Sequence, residues 1–157
     1  MKRLSLYLDT SIWNFYFAKD APVEMEHTIE FFNEAKKRKY DLFISALVLS
    51  EILDAPEPRK SDLLNLLNGV EVVNLEITAE VRGLANKYLS NKIISENYED
   101  DAIHIALAVV NRIDLIVSWN FKHMVNVRVN REVNGVNLME GYKAIEIRTP
   151  LEVKEYD

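Results

Sequence analysis

Four polar residues, Asp9, Glu51, Asp101 and Asn120, stand where they would bind a cation if the fold brought them together. Asp9 follows an apolar run, Glu51 lies within an apolar helical pattern, and Asp101 precedes the most apolar stretch of the sequence. Carboxylates that converge in a partly apolar cleft repel one another unless they are protonated or neutralised. A hard divalent cation with oxygen ligands neutralises them most simply, so the set predicts a site for Mg²⁺ or Mn²⁺.

The first of these acids is expected at the end of a strand. Apolar residues alternate with Ser5 and Tyr7 over Leu4–Leu8, and this period of two is typical of a strand. The pattern stops at Asp9, and the two hydroxyl residues that follow are typical of a helix start. A single aspartate in this position usually caps the helix, but ligands also bind at the carboxyl ends of parallel strands.

The rest of the chain alternates between strand and helix patterns. Further strands are predicted at 41–45, 70–75, 114–118 and 144–148, and longer helices from 22 to near 40 and at 46–54, 58–68, 78–90, 102–110 and 122–141. Each connection between strands is long enough for a crossover, which predicts parallel strands with helices on both faces. We therefore expect a single domain over residues 1–157 of the α/β class. Its architecture would be three-layer α/β/α with a central parallel sheet of about five strands.

This topology predicts where the polar residues meet. The segments after the first, second and fourth strands all begin at the carboxyl edge of the sheet, which places Asp9, the helix of Glu51, and Asn120 at that edge. Asp101 joins them if the buried helix at 102–110 enters from the same edge. The pattern therefore predicts one acidic cleft.

Composition removes several classes of function. The sequence has no Cys, which excludes thiol chemistry, disulfides and thiolate metal sites. It has no apolar run of ~18 residues and no room for a signal peptide before the first strand, so we expect a cytoplasmic protein with no membrane partner. The net charge of −6 argues against broad attraction to nucleic acid, and the basic cluster at 36–39 is expected on a solvated helix end.

Four segments together resemble the PIN domain, the nuclease fold of the VapC-type toxins. They are Leu-Tyr-Leu-Asp-Thr-Ser at 6–11, Ser-Ala-Leu-Val-Leu-Ser-Glu-Ile at 45–52, Asp-Ala-Ile-His-Ile-Ala-Leu-Ala at 101–108 and Ile-Val-Ser-Trp-Asn-Phe at 116–121. Acids after strands are common, whereas these motifs in this order are fairly specific, and the resemblance extends over essentially the whole chain. It implies a metal-dependent endoribonuclease that hydrolyses RNA phosphodiester bonds, either the toxin of a toxin–antitoxin pair or an orphan PIN protein.

The resemblance also implies roles for individual residues. Asp9, Glu51 and Asp101 would be the catalytic acids and would hold one or two Mg²⁺ or Mn²⁺ ions, which activate a water molecule for in-line attack on the phosphodiester. No protein nucleophile is needed for this reaction.

One position departs from the family pattern. The family often has a second aspartate after the fourth strand, where this chain has Asn120, which offers a carbonyl oxygen but one charge fewer. Asp100 is an accessory candidate that would supply the missing charge, and Ser118 is a second accessory candidate that would orient a ligand or a bound water.

The expected partners are an RNA substrate, an antitoxin encoded by a separate gene, and a second copy of the chain. A homodimer is expected because the 58–68 helix carries more leucines than one helix face buries: Leu63, Leu64, Leu66 and Leu67. The family resemblance points the same way.

Two other functions fit parts of the pattern. If Asn120 lowers metal affinity enough, the protein is a catalytically weak PIN-fold module that binds RNA or protein. A response-regulator receiver also has acids at the carboxyl edge, but it needs an aspartate and a lysine where this chain has Leu75 and Arg148. Among the histidines, His104 is expected to be a satisfied core side chain, and His123 to lie near a phosphate or on a solvated helix face.

Overall fold

The computed structural model describes residues 2–155. Within them the strands are β1 (Leu4–Leu8), β2 (Tyr40–Ser45), β3 (Val72–Leu75), β4 (Leu115–Val117) and β5 (Glu146–Arg148). The α-helices are α1 (Thr10–Phe15), α2 (Pro22–Ala35), α3 (Ala46–Leu53), α4 (Arg59–Asn68), α5 (Ala79–Ser90), α6 (Glu99–Val110), α7 (Val127–Met139) and α8 (Pro150–Glu155), with a 3-10 helix at Glu96–Tyr98. In this part of the chain, no helix combines the length and the apolar composition needed to cross a bilayer.

The strands form one parallel sheet in the order β3-β2-β1-β4-β5. β1 lies in the centre, where Tyr7 is in register with Phe43 of β2 and Ile116 of β4. The chain adds β2 and β3 on one side of β1 and then crosses to the other side for β4 and β5. The carboxyl end of β1 therefore lies where the strand order reverses, which is the usual ligand position in such sheets. The predicted parallel α/β/α fold is confirmed.

Two apolar cores cover the two faces of the sheet. Leu6 and Leu8 of β1 point into the core that also contains Trp13, whereas Tyr7 points into the core that contains the buried face of α6. This division follows from the alternation of side chains along a strand. Residues 102–109 of α6 are all buried, as its almost continuous apolar sequence predicted.

Side-chain caps account for two differences from the predicted helices. α7 begins at Val127, since the Asn126 side chain accepts a hydrogen bond from the amide of Val129 at 2.8 Å and the residues before it form turns. α8 was not predicted. It begins with a capping box, in which Thr149 and Glu152 each accept a hydrogen bond from the other's amide, at 3.0 and 3.3 Å.

The leucines of α4 do not form the free apolar face that was expected. Leu63 and Leu66 are buried, and Leu64 and Leu67 are half-buried against the same core. The exposed large apolar residues of α7 are Val127, Leu138 and Met139. The reason given from α4 for a homodimer is therefore wrong, and the homodimer itself stays a prediction.

Candidate active site

Asp9 is buried at the carboxyl end of β1 and is held by two serine hydroxyls. Ser11 Oγ donates to its Oδ1 at 2.5 Å, and Ser118 Oγ donates to its Oδ2 at 2.6 Å. Asp9 occupies the position before α1, and the two serine hydroxyls are the side chains that bond its carboxylate. The carboxylate is therefore oriented at the junction of α1 and the segment after β4.

The same two serines also hold the loop that follows β4. Ser11 Oγ accepts from the amide of Trp119, and Ser118 Oγ accepts from the amide of Asn120, both at 2.9 Å. Each hydroxyl thus links the loop backbone to Asp9. Ser118 was predicted to orient a ligand or a water, and in this structure the group that it orients is the Asp9 carboxylate.

A buried series of polar contacts connects β1 to the helix that carries Glu51. The Tyr7 hydroxyl lies 2.8 Å from Ser45 Oγ and 2.7 Å from His104 Nδ1, both within hydrogen-bond distance. On the other side of the imidazole, His104 Nε2 lies 3.3 Å from Glu51 Oε1. Four elements, β1, β2, α6 and α3, are joined in this way beside Asp9, which shares a sheet face with Tyr7.

Glu51 has an unsatisfied carboxylate oxygen. Its Oε1 is buried and accepts no hydrogen bond from the described residues. The 3.3 Å distance between Glu51 Oε1 and His104 Nε2 is short enough for electrostatic attraction to a protonated imidazole. The contact lies outside hydrogen-bond geometry. A buried anionic oxygen without a donor is costly, and a cation would relieve that cost.

The Asn120 side chain lies near Asp101. Asp101 lies in the first turn of α6 and is half-buried, and the Asn120 amide partly offsets the rise that burial causes in the pKa of its carboxyl. The Asn120 Oδ1 accepts a hydrogen bond from the amide of His123 at 3.0 Å. The Asn120 oxygen that was predicted to bind the metal therefore already uses one of its two acceptor positions. The ligand role of Asn120 stays a prediction.

The electrostatics of the site follow from three carboxylates around one buried imidazole. Burial raises the pKa of Asp9 and of Asp101, and the nearby His104 offsets this only in part. Burial alone would lower the pKa of His104, but its contact with Glu51 and the charges of Asp9 and Asp101 outweigh burial and raise it. The site without a metal ion is therefore short of positive charge.

The structure places the predicted acids at one edge of the sheet but does not close them into a coordination shell. Asp9, Glu51 and Asp101 all interact with His104. Among residues 2–155, however, no three Asp, Glu or His side chains lie close enough together to hold a metal ion as they stand. Asp100 is exposed on α6.

Sequence reasoning did not assign site roles to Tyr7 or His104, although their spacing carried a signal. Tyr7 precedes Asp9 by two residues on a strand, and His104 follows Asp101 by three residues on a helix. Both spacings place a side chain on the same face as the acid. Because His104 is enclosed by apolar residues in sequence, its core interpretation was natural, and it is indeed buried.

A model of the PIN domain family matches residues 6–122, a range that contains each of the predicted site acids. The chain belongs to the PIN domain family. PIN proteins are nucleases that generally depend on a divalent metal ion. No curated protein matches the chain at a significant level.

Solved structures of VapC-type proteins share the PIN fold of this chain. VapBC2 from Rickettsia felis, bound to a DNA fragment from its promoter, superposes with a TM-score of 0.60 at 15% identity, covering 93% of this chain and 98% of that one. Mycobacterium tuberculosis VapC20, a toxin that cleaves the Sarcin-Ricin loop, superposes with a TM-score of 0.58 at 17% identity, covering 75% of this chain and 92% of that one. A chain of a toxin–antitoxin complex from Klebsiella pneumoniae superposes with a TM-score of 0.55 at 16% identity, covering 79% of this chain and 93% of that one.

The residues at this edge of the PIN domain fit a hard divalent cation. The donors are carboxylate oxygens, the type that Mg²⁺ and Mn²⁺ prefer. The Oε1 of Glu51 is buried without a donor, and burial raises the pKa of Asp9 and of Asp101, so the site lacks compensating positive charge. A bound cation would supply that charge once the side chains drew together.

Replacing Tyr7 by Phe is expected to lower the free energy of unfolding by about 1–3 kcal/mol, because Ser45 and His104 then lose a buried hydrogen-bond partner. Urea unfolding followed by circular dichroism measures this loss. Tyr142→Phe is the matched control, since its hydroxyl bonds Glu80 at an exposed position and its removal should change stability by less than ~0.5 kcal/mol. Equal effects of the two substitutions would contradict a structural role for the buried contacts.

Proposed function

We propose that residues 1–157 form a single PIN domain that acts as a metal-dependent endoribonuclease and hydrolyses RNA phosphodiester bonds. The observation that carries the proposal is the cluster of Asp9, Glu51 and Asp101 around His104 at the point where strand order reverses. Acids in this position, with unmet charge, suit the metal-dependent chemistry of the family.

In this proposal, Asp9, Glu51 and Asp101 hold the cation. When bound there, Mg²⁺ or Mn²⁺ would supply a Lewis acid that activates water and balances the charge of the phosphodiester. Ser11 and Ser118 keep both oxygens of Asp9 oriented.

The acids on the helices are positioned in a different way. Asn120 lies near Asp101 and holds the turn after β4 through the amide of His123, and the buried contacts of Tyr7 and His104 set the side-chain position of Glu51. These neighbours belong to the shell around a metal site that commonly fixes ligand geometry.

The substrate and partners are also proposals. We propose RNA as the substrate, which the description of VapC20 as a Sarcin-Ricin loop cleaving toxin supports by analogy. Proteins similar in fold to this chain occur in toxin–antitoxin complexes. This supports two further proposals, that the chain is the toxin of such a pair and that a separate antitoxin binds it. We further propose a homodimer in the cytoplasm, which sedimentation of the purified chain and fractionation of cells would measure.

A metal titration tests the proposed function. Cleavage of a mixed pool of single-stranded RNA should require Mg²⁺ or Mn²⁺, stop with EDTA and return when metal is added in excess. Binding of Mn²⁺, followed by electron paramagnetic resonance, should parallel the recovery of activity. A protein that binds Mn²⁺ but cuts no RNA at saturating metal would overturn the nuclease proposal.

A catalytically weak binding module is the second candidate. It is favoured by the engaged oxygen of Asn120 and by the fact that, within residues 2–155, the acids do not yet form a coordination shell. The same titration separates the two candidates, because the module would retain RNA on a filter at every metal concentration without shortening it.

A further inference from the structure

A polar cleft lies along the loop that follows β4, just beyond Asn120 in the chain. Its volume is about 420 Å³, and its walls come from the loop after β4, the first turns of α7, and β5. The residues that matter for its chemistry are Phe121, Arg131, Arg148 and Glu152. The cleft begins at Phe121, the residue after Asn120 in the loop that follows β4.

Arg131 gives this cleft an uncompensated positive charge. Arg148 is paired with Glu146 at 3.0 Å and lies 3.9 Å from Glu152. Arg131 is exposed and makes no ion pair or hydrogen bond with the residues that the structure describes. In a chain with a net charge of −6, an unpaired guanidinium beside an acidic site is a ready contact for a phosphate.

Phe121 gives the same cleft an aromatic surface. Its side chain is 55% exposed, although an aromatic ring of this size gains free energy from burial. Its ring centroid lies 6.1 Å from that of Trp119, which is buried and lies 5.9 Å from Phe15. The Phe121 ring is thus supported on its inner side by an aromatic group, while its other side is free to stack on a ligand.

We propose that this cleft binds the nucleotide next to the scissile phosphate of a single-stranded RNA, with the base on Phe121 and its phosphate on Arg131. The proposal rests on the proposed ribonuclease function and adds a substrate subsite to it. A phosphodiester at Asp9 would bring a neighbouring nucleotide towards Phe121, because the loop after β4 carries both Phe121 and Ser118, which is hydrogen-bonded to Asp9. Only an unpaired base exposes a face for such stacking, so the cleft selects single strands.

Fluorescence anisotropy with a labelled single-stranded RNA in EDTA measures this subsite without cleavage. Phe121→Leu and Arg131→Ala should each raise the dissociation constant about tenfold, while Phe121→Trp should stay near wild type because it still stacks. The slope of log affinity against log salt should fall by about 0.7 in Arg131→Ala, the value for one phosphate contact on a single strand. Arg82→Ala and Met139→Ala are matched controls, because Arg82 is an exposed arginine on α5 and Met139 is an exposed apolar residue at the last position of α7.

The cleavage assay adds a second reading. Phe121→Leu and Arg131→Ala should raise KM with kcat near wild type, because the contacts bind the substrate and do not touch the reacting atoms. Wild-type affinity for RNA in both variants overturns the subsite. A variant that binds RNA like wild type but no longer binds a protein antitoxin also overturns it, because the cleft would then be a protein-binding surface. If wild type cuts no RNA at any metal concentration, the proposed function fails, while the anisotropy result still decides whether the cleft binds single strands.

Discussion

Replacing Asp101 by Asn is expected to lower RNA cleavage by at least about 10²-fold. Loss of a group that only orients a metal ligand costs about 10- to 100-fold, and loss of a ligand itself should cost more. Asp9→Asn should have a similar effect, because it would remove a second proposed ligand. Cleavage of the single-stranded RNA pool at saturating Mn²⁺ measures both. Glu99→Gln is the matched control: it changes the same kind of charge in the same first turn of α6, at an exposed position, and should cut like wild type.

Asp101→Asn should leave the metal-free protein folded. Burial raises the pKa of Asp101 above its value in the unfolded chain, so ionisation of this group costs stability as the pH rises through the folded-state pKa. At neutral pH, the uncharged Asn removes that cost. The free energy of unfolding should therefore be equal to or higher than that of wild type, as measured by urea in EDTA. A variant that is inactive because it has unfolded would contradict the assignment of Asp101 to the metal site.

Replacing Trp13 by Ala is expected to lower the free energy of unfolding by about 3–5 kcal/mol, through lost burial and the cavity that remains. Trp13 is fully buried in α1, and its ring centroid lies 5.0 Å from that of Phe32 in α2. Because α1 also carries Ser11, which holds Asp9, cleavage should fall together with the folded fraction. Urea unfolding at several temperatures measures the loss.

Phe121→Ala is the control for this prediction, since it removes an aromatic ring that is half exposed and should change stability by less than ~0.5 kcal/mol. A loss below about 1 kcal/mol in Trp13→Ala would mean that the core around α1 collapses onto the cavity, and would contradict the close packing inferred here.

Much of the scaffold was predictable because its signals are local in sequence. The period of two over Leu4–Leu8 predicted β1, and the almost unbroken apolar run after Asp101 predicted the most buried helix. The predicted helix at 46–54 begins as α3 at Ala46, where the Ser45 hydroxyl caps it by accepting from the amide of Val48 at 3.4 Å. The PIN resemblance, which rested on short motifs of this kind, is confirmed by the family model.

Local patterns failed where a neighbouring element decides the outcome. The leucines of α4 looked like an excess of exposed apolar surface, but the core of α1, α2 and α3 covers them. Whether a helix face is covered depends on elements that are distant in sequence, and hydropathy does not contain that information. α8 was missed for a different reason, because the Thr149 and Glu152 signal of its capping box was present and was not used.

The sequence by itself determined which acids stand at the carboxyl edge, because a strand or helix pattern next to an acid fixes its position along the sheet. Only the tertiary structure decided what surrounds them. The hydroxyl of Ser118 reaches Asp9 across 109 positions, and Tyr7 reaches His104 across 97. Such contacts form between side chains that the fold brings together from distant segments, so no periodicity predicts them. For the same reason, only the structure shows that His104 on α6 lies 3.3 Å from Glu51 on α3.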